Sequence, residues 1–147
     1  ALIFSRQAIK DLPEGVDYIG VEKGAYEVVK EEHPDVILLA SGSEVSTLVD
    51  TLPLLQEKNI KARVISCPSE GLFRRQSAEY QEKLLPADAK IFALTAGLPA
   101  TFEGLVSSNG YIYGLDHFGY SAPYQVLDDK LGFTPQQVAD KIIDFVK

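Results

Sequence analysis

Methionine and tryptophan are missing from these 147 residues, and cysteine occurs once. A single Cys cannot close a disulfide within the chain, which suits a reducing compartment and makes the cytoplasm the expected location. No apolar run approaches the roughly 20 residues that a bilayer span requires. No basic segment followed by a short apolar one opens the chain, so neither a membrane span nor a secretory leader is expected. Positive charge is in the minority, with 14 Lys and Arg against 21 Asp and Glu and a net charge of −7. That balance speaks against a general nucleic-acid binder. It leaves room for a small anion held by one Arg. Histidine is scarce too. His33 and His117 lie far apart, and neither has a second His or Cys at metal-ligand spacing.

What is present is ordinary for a globular domain: 46% hydrophobic and 24% charged residues, in a length that suits one core. The organising stretch runs from Asp35 to Ser69. Val36–Ala40 is an unbroken apolar run, the pattern of a strand covered on both faces. Ser41-Gly42-Ser43-Glu44 ends it with small polar residues, and a Ser hydroxyl there suits a helix cap. Val45, Leu48, Val49, Leu52 and Leu55 then recur at three- and four-residue steps, one apolar helical face. Pro53 interrupts this pattern, predicting a kink near Val49–Pro53 rather than two helices. Ile60–Ile65 returns as a second strand, completing a βαβ unit with parallel strands.

Ala1–Phe4 reads as a short strand already under way, residues 8–17 as a connector, and Ile19–Val28 as extended, with Ala25–Val29 its best strand. The tight turn at Glu31–Pro34 allows only antiparallel pairing with the next strand, if the two pair at all. After the βαβ unit, Ser69 suits a helix cap, and Phe73, Tyr80 and Leu84 share one face of a helix over Glu70–Leu85. Lys90–Thr95 and Tyr111–Leu115 are two further strands, with a helix candidate over Leu98–Val106 between them. Tyr124–Leu131 is a short helix ended by Gly132. Thr134-Pro135-Gln136-Gln137 is a capping signature opening a last helix, which buries Val138, Ile142, Ile143 and Val146. The expected fold is three-layer α/β/α: a mostly parallel, doubly wound sheet with one antiparallel strand.

Candidate chemistry is thin. The Ser41–Glu44 loop follows a strand and opens a helix, so its N–H groups suit an anion. It lacks the glycine and lysine spacing of nucleotide loops, and capping alone explains its residues. Cys67 precedes Pro68 with no base supplied by motif. Gly114–Pro123 (GLDHFGYSAP) suggests a shaped loop, a bend at the end of its strand with a positive φ expected at Gly119, and packing or subunit contact is its expected role. Asp116 and His117 are neighbours, and in an extended segment their side chains point opposite ways. Arg6, flanked by Ser5 and Gln7, has a guanidinium suited to bidentate phosphate recognition. On residues alone a solvated surface Arg is the plainer reading.

The ordered set SRQ (Ser5–Gln7), KGAY (Lys23–Tyr26), PDVILLASGSEV (Pro34–Val45), KARVISCPS (Lys61–Ser69), GLDHFGYSAP and LGFTPQQVADK (Leu131–Lys141) resembles the C-terminal end of transketolase along the whole chain. The resemblance implies a homodimeric transferase that moves a two-carbon ketol unit between sugar phosphates. Its cofactors are thiamine diphosphate and a divalent cation (Mg or Ca), held by domains that these residues do not include. Residues 1–17 then close the pyrimidine-binding domain and form a linker, and residues 18–147 are the C-terminal domain. Arg6 matches the family Arg that grips the substrate phosphate. No catalytic, cofactor or metal residue is expected in this stretch, and its partners are the rest of the transketolase chain, a second subunit and sugar phosphates. Together with the missing Met, this implies a piece of a larger protein, inactive alone. The rival reading is a free-standing α/β ligand-binding or regulatory module using Ser41–Glu44, or the equivalent domain of a related thiamine diphosphate enzyme. The coding sequence upstream of Ala1 separates the first two.

Overall fold

The alternating residues of Val36–Ala40 face two different cores, and this decides the architecture. In a computed structural model that describes residues 7–147, this strand lies at the centre of a five-stranded sheet. The strands are β1 (Tyr26–Val29), β2 (Val36–Ala40), β3 (Ala62–Ser66), β4 (Ile91–Leu94) and β5 (Tyr111–Tyr113), in the spatial order β1-β3-β2-β4-β5. Strands β2, β3, β4 and β5 pair in parallel, and β1 pairs antiparallel with β3. The expected Ala1–Phe4 strand lies outside the described residues.

Val36, Leu38 and Ala40 pack with Val64, Phe92 and Leu94 beneath α1 (Ser43–Gln56) and α5 (Pro135–Val146). Ile37 and Leu39 point the other way, to Ile65, Ile91 and Ala93, under Phe73, Leu84 and Phe102. Those three come from α2 (Glu70–Phe73), α3 (Ala78–Leu84) and the 3₁₀ turn Pro99–Phe102. Helices on both faces of the sheet make the three-layer α/β/α arrangement expected from the alternation of elements.

Helix α1 runs unbroken through Pro53. Beyond its end at Gln56, Asn59 lies in the left-handed region (φ 58°), and the N–H groups of Asn59 and Ile60 donate to the carbonyls of Gln56 and Leu55 at 2.9 and 3.0 Å. This is a Schellman stop, which satisfies carbonyls that the helix end would otherwise leave unpaired. The start differs from expectation: no Ser caps it. Gly42 takes the N-cap position at φ 64°, and Ser43 Oγ instead donates to Glu44 Oε1 at 2.9 Å.

Other boundaries shift for local reasons. Ile19–Val28 is not extended throughout. Asp17 accepts from the Ile19 N–H and caps a 3₁₀ helix over Tyr18–Lys23, which left-handed Gly24 closes. Glu70–Leu85 is two helices, because Ser77 caps α3 as Ser69 caps α2. Phe73 and Tyr80 still meet edge-on across that break, with ring centroids 6.1 Å apart. The Leu98–Val106 candidate shrinks to the single 3₁₀ turn. Helix α4 (Tyr124–Leu131) ends at Gly132, and Thr134 and Gln137 form the expected capping box of α5. On α5, Val138 and Ile142 are buried, whereas Ile143 and Val146 are only partly covered. The turn between β1 and β2 forms no hairpin. It is held by Arg63, whose Nε and Nη2 donate to the Glu31 carbonyl at 3.0 and 2.7 Å while Nε lies 3.3 Å from Glu27 Oε1.

Candidate functional site

The chain leaving β2 turns onto one face through α1, and the chain leaving β4 turns onto the other through Pro99–Phe102. Where two neighbouring parallel strands send their connections to opposite faces, a crevice opens outside their carboxyl ends, the usual ligand position in open α/β sheets. Three loops border it here: residues 41–44, 95–98 and 114–123.

The β4 and β5 loops are fastened to each other beyond the ladder. Thr95 N–H donates to the Tyr113 carbonyl at 3.0 Å, Leu115 N–H to the Gly97 carbonyl at 2.9 Å, and Gly97 N–H to Thr95 Oγ1 at 3.0 Å. Gly114 permits this approach, since a Cβ there would sit 2.9 Å from the Gly97 carbonyl oxygen and 3.0 Å from Thr95 Cγ2. A hollow of about 440 Å³ lies over the fastened loops, lined by residues 96–98 and 115–119, with Leu98 and Phe118 among them. A second of about 880 Å³ lies along the end of the same loop, bounded by Gln7, Tyr120, Tyr124 and Leu127.

At the mouth of β2, burial pushes the Glu44 carboxyl above its ordinary range. Hydrogen bonds from Ser43, from its own backbone N–H and from that of Ala96 hold it down in part, while the charge of Asp128 adds to the rise. The N-terminus of α1 therefore already carries a carboxylate of its own chain. This bears directly on the loop that the sequence offers as an anion site: an incoming phosphate would meet Glu44 there, a like charge. Cys67 is buried and its thiol is pushed up to about 12, by burial first and by Glu70 second, so it stays protonated and is no nucleophile. His117 is exposed, with Nδ1 donating to the Phe118 carbonyl at 2.8 Å and its ring 5.6 Å from that of Tyr120. Neither hydrogen bond nor ion pair joins it to Asp116.

Arg6, the candidate for phosphate recognition, lies outside the described residues. Gly119 needs a correction. It has no positive φ, and nothing lies within 4 Å of the Cβ it lacks, so it is not a conformationally demanding bend. The sequence reading missed two features of this edge. One is that the charge of Asp128 reaches Glu44, which only tertiary structure brings about. The other is the exposure of Leu98, Phe118 and Tyr120; for the two aromatics the run from His117 to Leu127, without Asp, Glu, Lys or Arg, was the available signal.

The crevice residues do not suit thiamine diphosphate with its cation. Among the described residues, no Lys or Arg lines either hollow. The nearby charges are carboxylates, and among the described residues no group of three His, Cys, Asp or Glu is placed to hold a metal.

Fold and edge together define a doubly wound α/β domain that carries a shaped aromatic loop and no assembled catalytic group among its described residues. Comparison with known proteins places it further. The family of transketolase-like TK C-terminal domains matches residues 24–134, and the chain belongs to that family. A transketolase of Aquifex aeolicus is 38% identical over 98% of this chain, which covers 22% of that protein. The solved structure of a mutant transketolase from Pichia stipitis superposes with a TM-score of 0.85 at 34% identity, over 96% of this chain and 20% of that one. A transketolase from the same organism, solved in complex with sedoheptulose-7-phosphate, gives 0.80 at 33% identity over 90% of this chain and 19% of that one. The chain thus spans about a fifth of the relatives it matches.

Proposed function

We propose that this chain is the C-terminal domain of a transketolase, working within a longer polypeptide that transfers a two-carbon ketol unit between sugar phosphates. The observation that carries the reading is the match to a named transketolase over 98% of the chain. In the whole enzyme, thiamine diphosphate with a divalent cation supplies the carbanion chemistry. The residues described in this chain contribute no ligand to it, since their donor set suits neither a diphosphate nor a cation. The partners are the remainder of the polypeptide, a second subunit and sugar phosphates. A relative solved with sedoheptulose-7-phosphate supports the substrate class. The cytoplasm is the proposed site of action.

Residues 1–17 close the preceding domain in this proposal, and residues 18–147 form the C-terminal one. Arg6 then holds the phosphate of the sugar, remote from the reacting carbon. Its planar guanidinium meets two phosphate oxygens at once, which the point charge of a Lys does not. The 147-residue chain is inactive alone and supports the dimer. The test is a ketol-transfer assay of the full-length protein with thiamine diphosphate and magnesium, beside calorimetry of the 147-residue chain with the same cofactor. Transfer by the former and no saturable micromolar binding by the latter are expected. Binding by the short chain would overturn the division of labour, and a folded, cofactor-loaded protein without transfer would overturn the function.

A further inference from the structure

The carboxyl edge exposes three large apolar side chains, Phe118 at 97%, Tyr120 at 66% and Leu98 at 60%, and Leu98 and Phe118 line one hollow together. The loop that carries Leu98 is hydrogen-bonded to the start of the loop that carries Phe118 and Tyr120, through Leu115 N–H and the Gly97 carbonyl. His117 to Leu127 carries no Asp, Glu, Lys or Arg, in a chain of which 24% is charged. Aromatic enrichment with charge depletion is the composition of a buried interface centre, not of a solvated loop. The hollows of about 440 Å³, lined by Leu98 and Phe118, and about 880 Å³, lined by Tyr120, give the patch the relief that a complementary surface fills.

We propose that the Leu98–Phe118–Tyr120 face docks this domain onto the polypeptide that precedes it in a full-length transketolase, whose neighbouring domain offers an uncharged apolar socket for the Phe118 ring. The proposal rests on the reading above that the chain is a transketolase C-terminal domain. Two observations favour that occupant. The relatives carry about four-fifths of their length outside the matched region, so this domain has a large neighbour in cis. Gln7, the first described residue, lines the same hollow as Tyr120 and Tyr124, so the chain entering the domain does so beside the patch. A second copy of this face is a poorer occupant. Asp116 and Asp128 lie in sequence on either side of the uncharged run, and a twofold axis through it would bring like charges together in a chain of net charge −7.

The experiment uses Phe118→Cys, made in the full-length protein and in the 147-residue chain, with the rate of alkylation of that cysteine followed by mass spectrometry. A side chain 97% exposed tolerates the change without threatening the fold. Alkylation is expected to be at least about a hundredfold slower in the full-length protein, at every protein concentration, as for a site that must open before it reacts. Equal rates in the two would overturn the proposal unless amide exchange shows that the substitution itself undid the docking. Exchange of residues 114–124 in the unsubstituted proteins settles that: slowing in the full-length protein supports docking, and equal exchange overturns it. Protection of the short chain that grows with its concentration would instead give the face to a second copy. Ketol transfer is assayed on the same preparations. Protection without transfer leaves the docking standing and removes the function, and transfer without protection does the reverse.

Discussion

Replacing Pro53 by Ala is expected to stabilise the domain. Pro53 is exposed and sits well inside α1, which continues past it to Gln56. Without an N–H it leaves the Val49 carbonyl unpaired within the helix, and a proline in a regular helical interior costs about 3 kcal/mol relative to Ala. An exposed ring contributes little packing to lose. The proline does restrict the unfolded chain, and removing that restriction gives back about 0.4–1 kcal/mol. The net gain is about 2 kcal/mol, equivalent to a rise in Tm of roughly 4–8 °C for a chain of this size. Urea titration and thermal melting followed by circular dichroism measure it, with an unchanged m-value confirming that only stability moved. An unchanged or lowered midpoint would refute the reasoning. It would mean that α1 needs the bend at Pro53 to seat Leu48 and Leu55 on the sheet.

Two glycines of the same loop make a paired prediction. Gly114→Val is expected to cost about 1–3 kcal/mol, because its Cβ would press on the Gly97 carbonyl and Thr95. Gly119→Val is expected to stay within about 0.5 kcal/mol, and equal urea midpoints for the two variants would contradict the loop geometry. Glu44→Gln tests the half-buried carboxylate. Because burial raises the folded-state pKa above the unfolded value, the ionised group weighs against folding at about pH 7, and that cost vanishes as pH falls through the raised value toward 4.5. The variant should therefore compare more favourably with the parent at about pH 7 than at about pH 4, and the opposite order would show that Glu44 is better held ionised than its burial implies.

The elements legible from sequence were those written in local chemistry. The capping box Thr134–Gln137, the left-handed Gly132 and the apolar run of β2 each state their structure within a few residues. The parallel β2–α1–β3 unit follows from periodicity and chain length alone. What was not legible depends on distant partners. Nothing near Tyr26 shows that β1 pairs with β3 across the sheet instead of with its neighbour β2. The split between α2 and α3 had a signal in Ser77, a second capping residue, but the continuous apolar face over Phe73, Tyr80 and Leu84 outweighed it. The rings do share a surface, across a break in the backbone. At the candidate site, Gly119 looked demanding because it lies in a bend at a strand end, where a glycine often takes a positive φ. In space its neighbours point outward, and Gly114, which faces a carbonyl, is the glycine the loop needs.

Arg6→Ala in the full-length protein tests the central proposal most directly. Charge-assisted hydrogen bonds to phosphate contribute about 1.5–3 kcal/mol each. The kcat/KM for phosphorylated sugars should therefore fall by roughly one to two orders of magnitude. Unphosphorylated ketoses should lose little, and the affinity for thiamine diphosphate should hold. Equal losses on both kinds of sugar would contradict the proposal, because they would show an arginine that supports the fold and not one that grips the substrate.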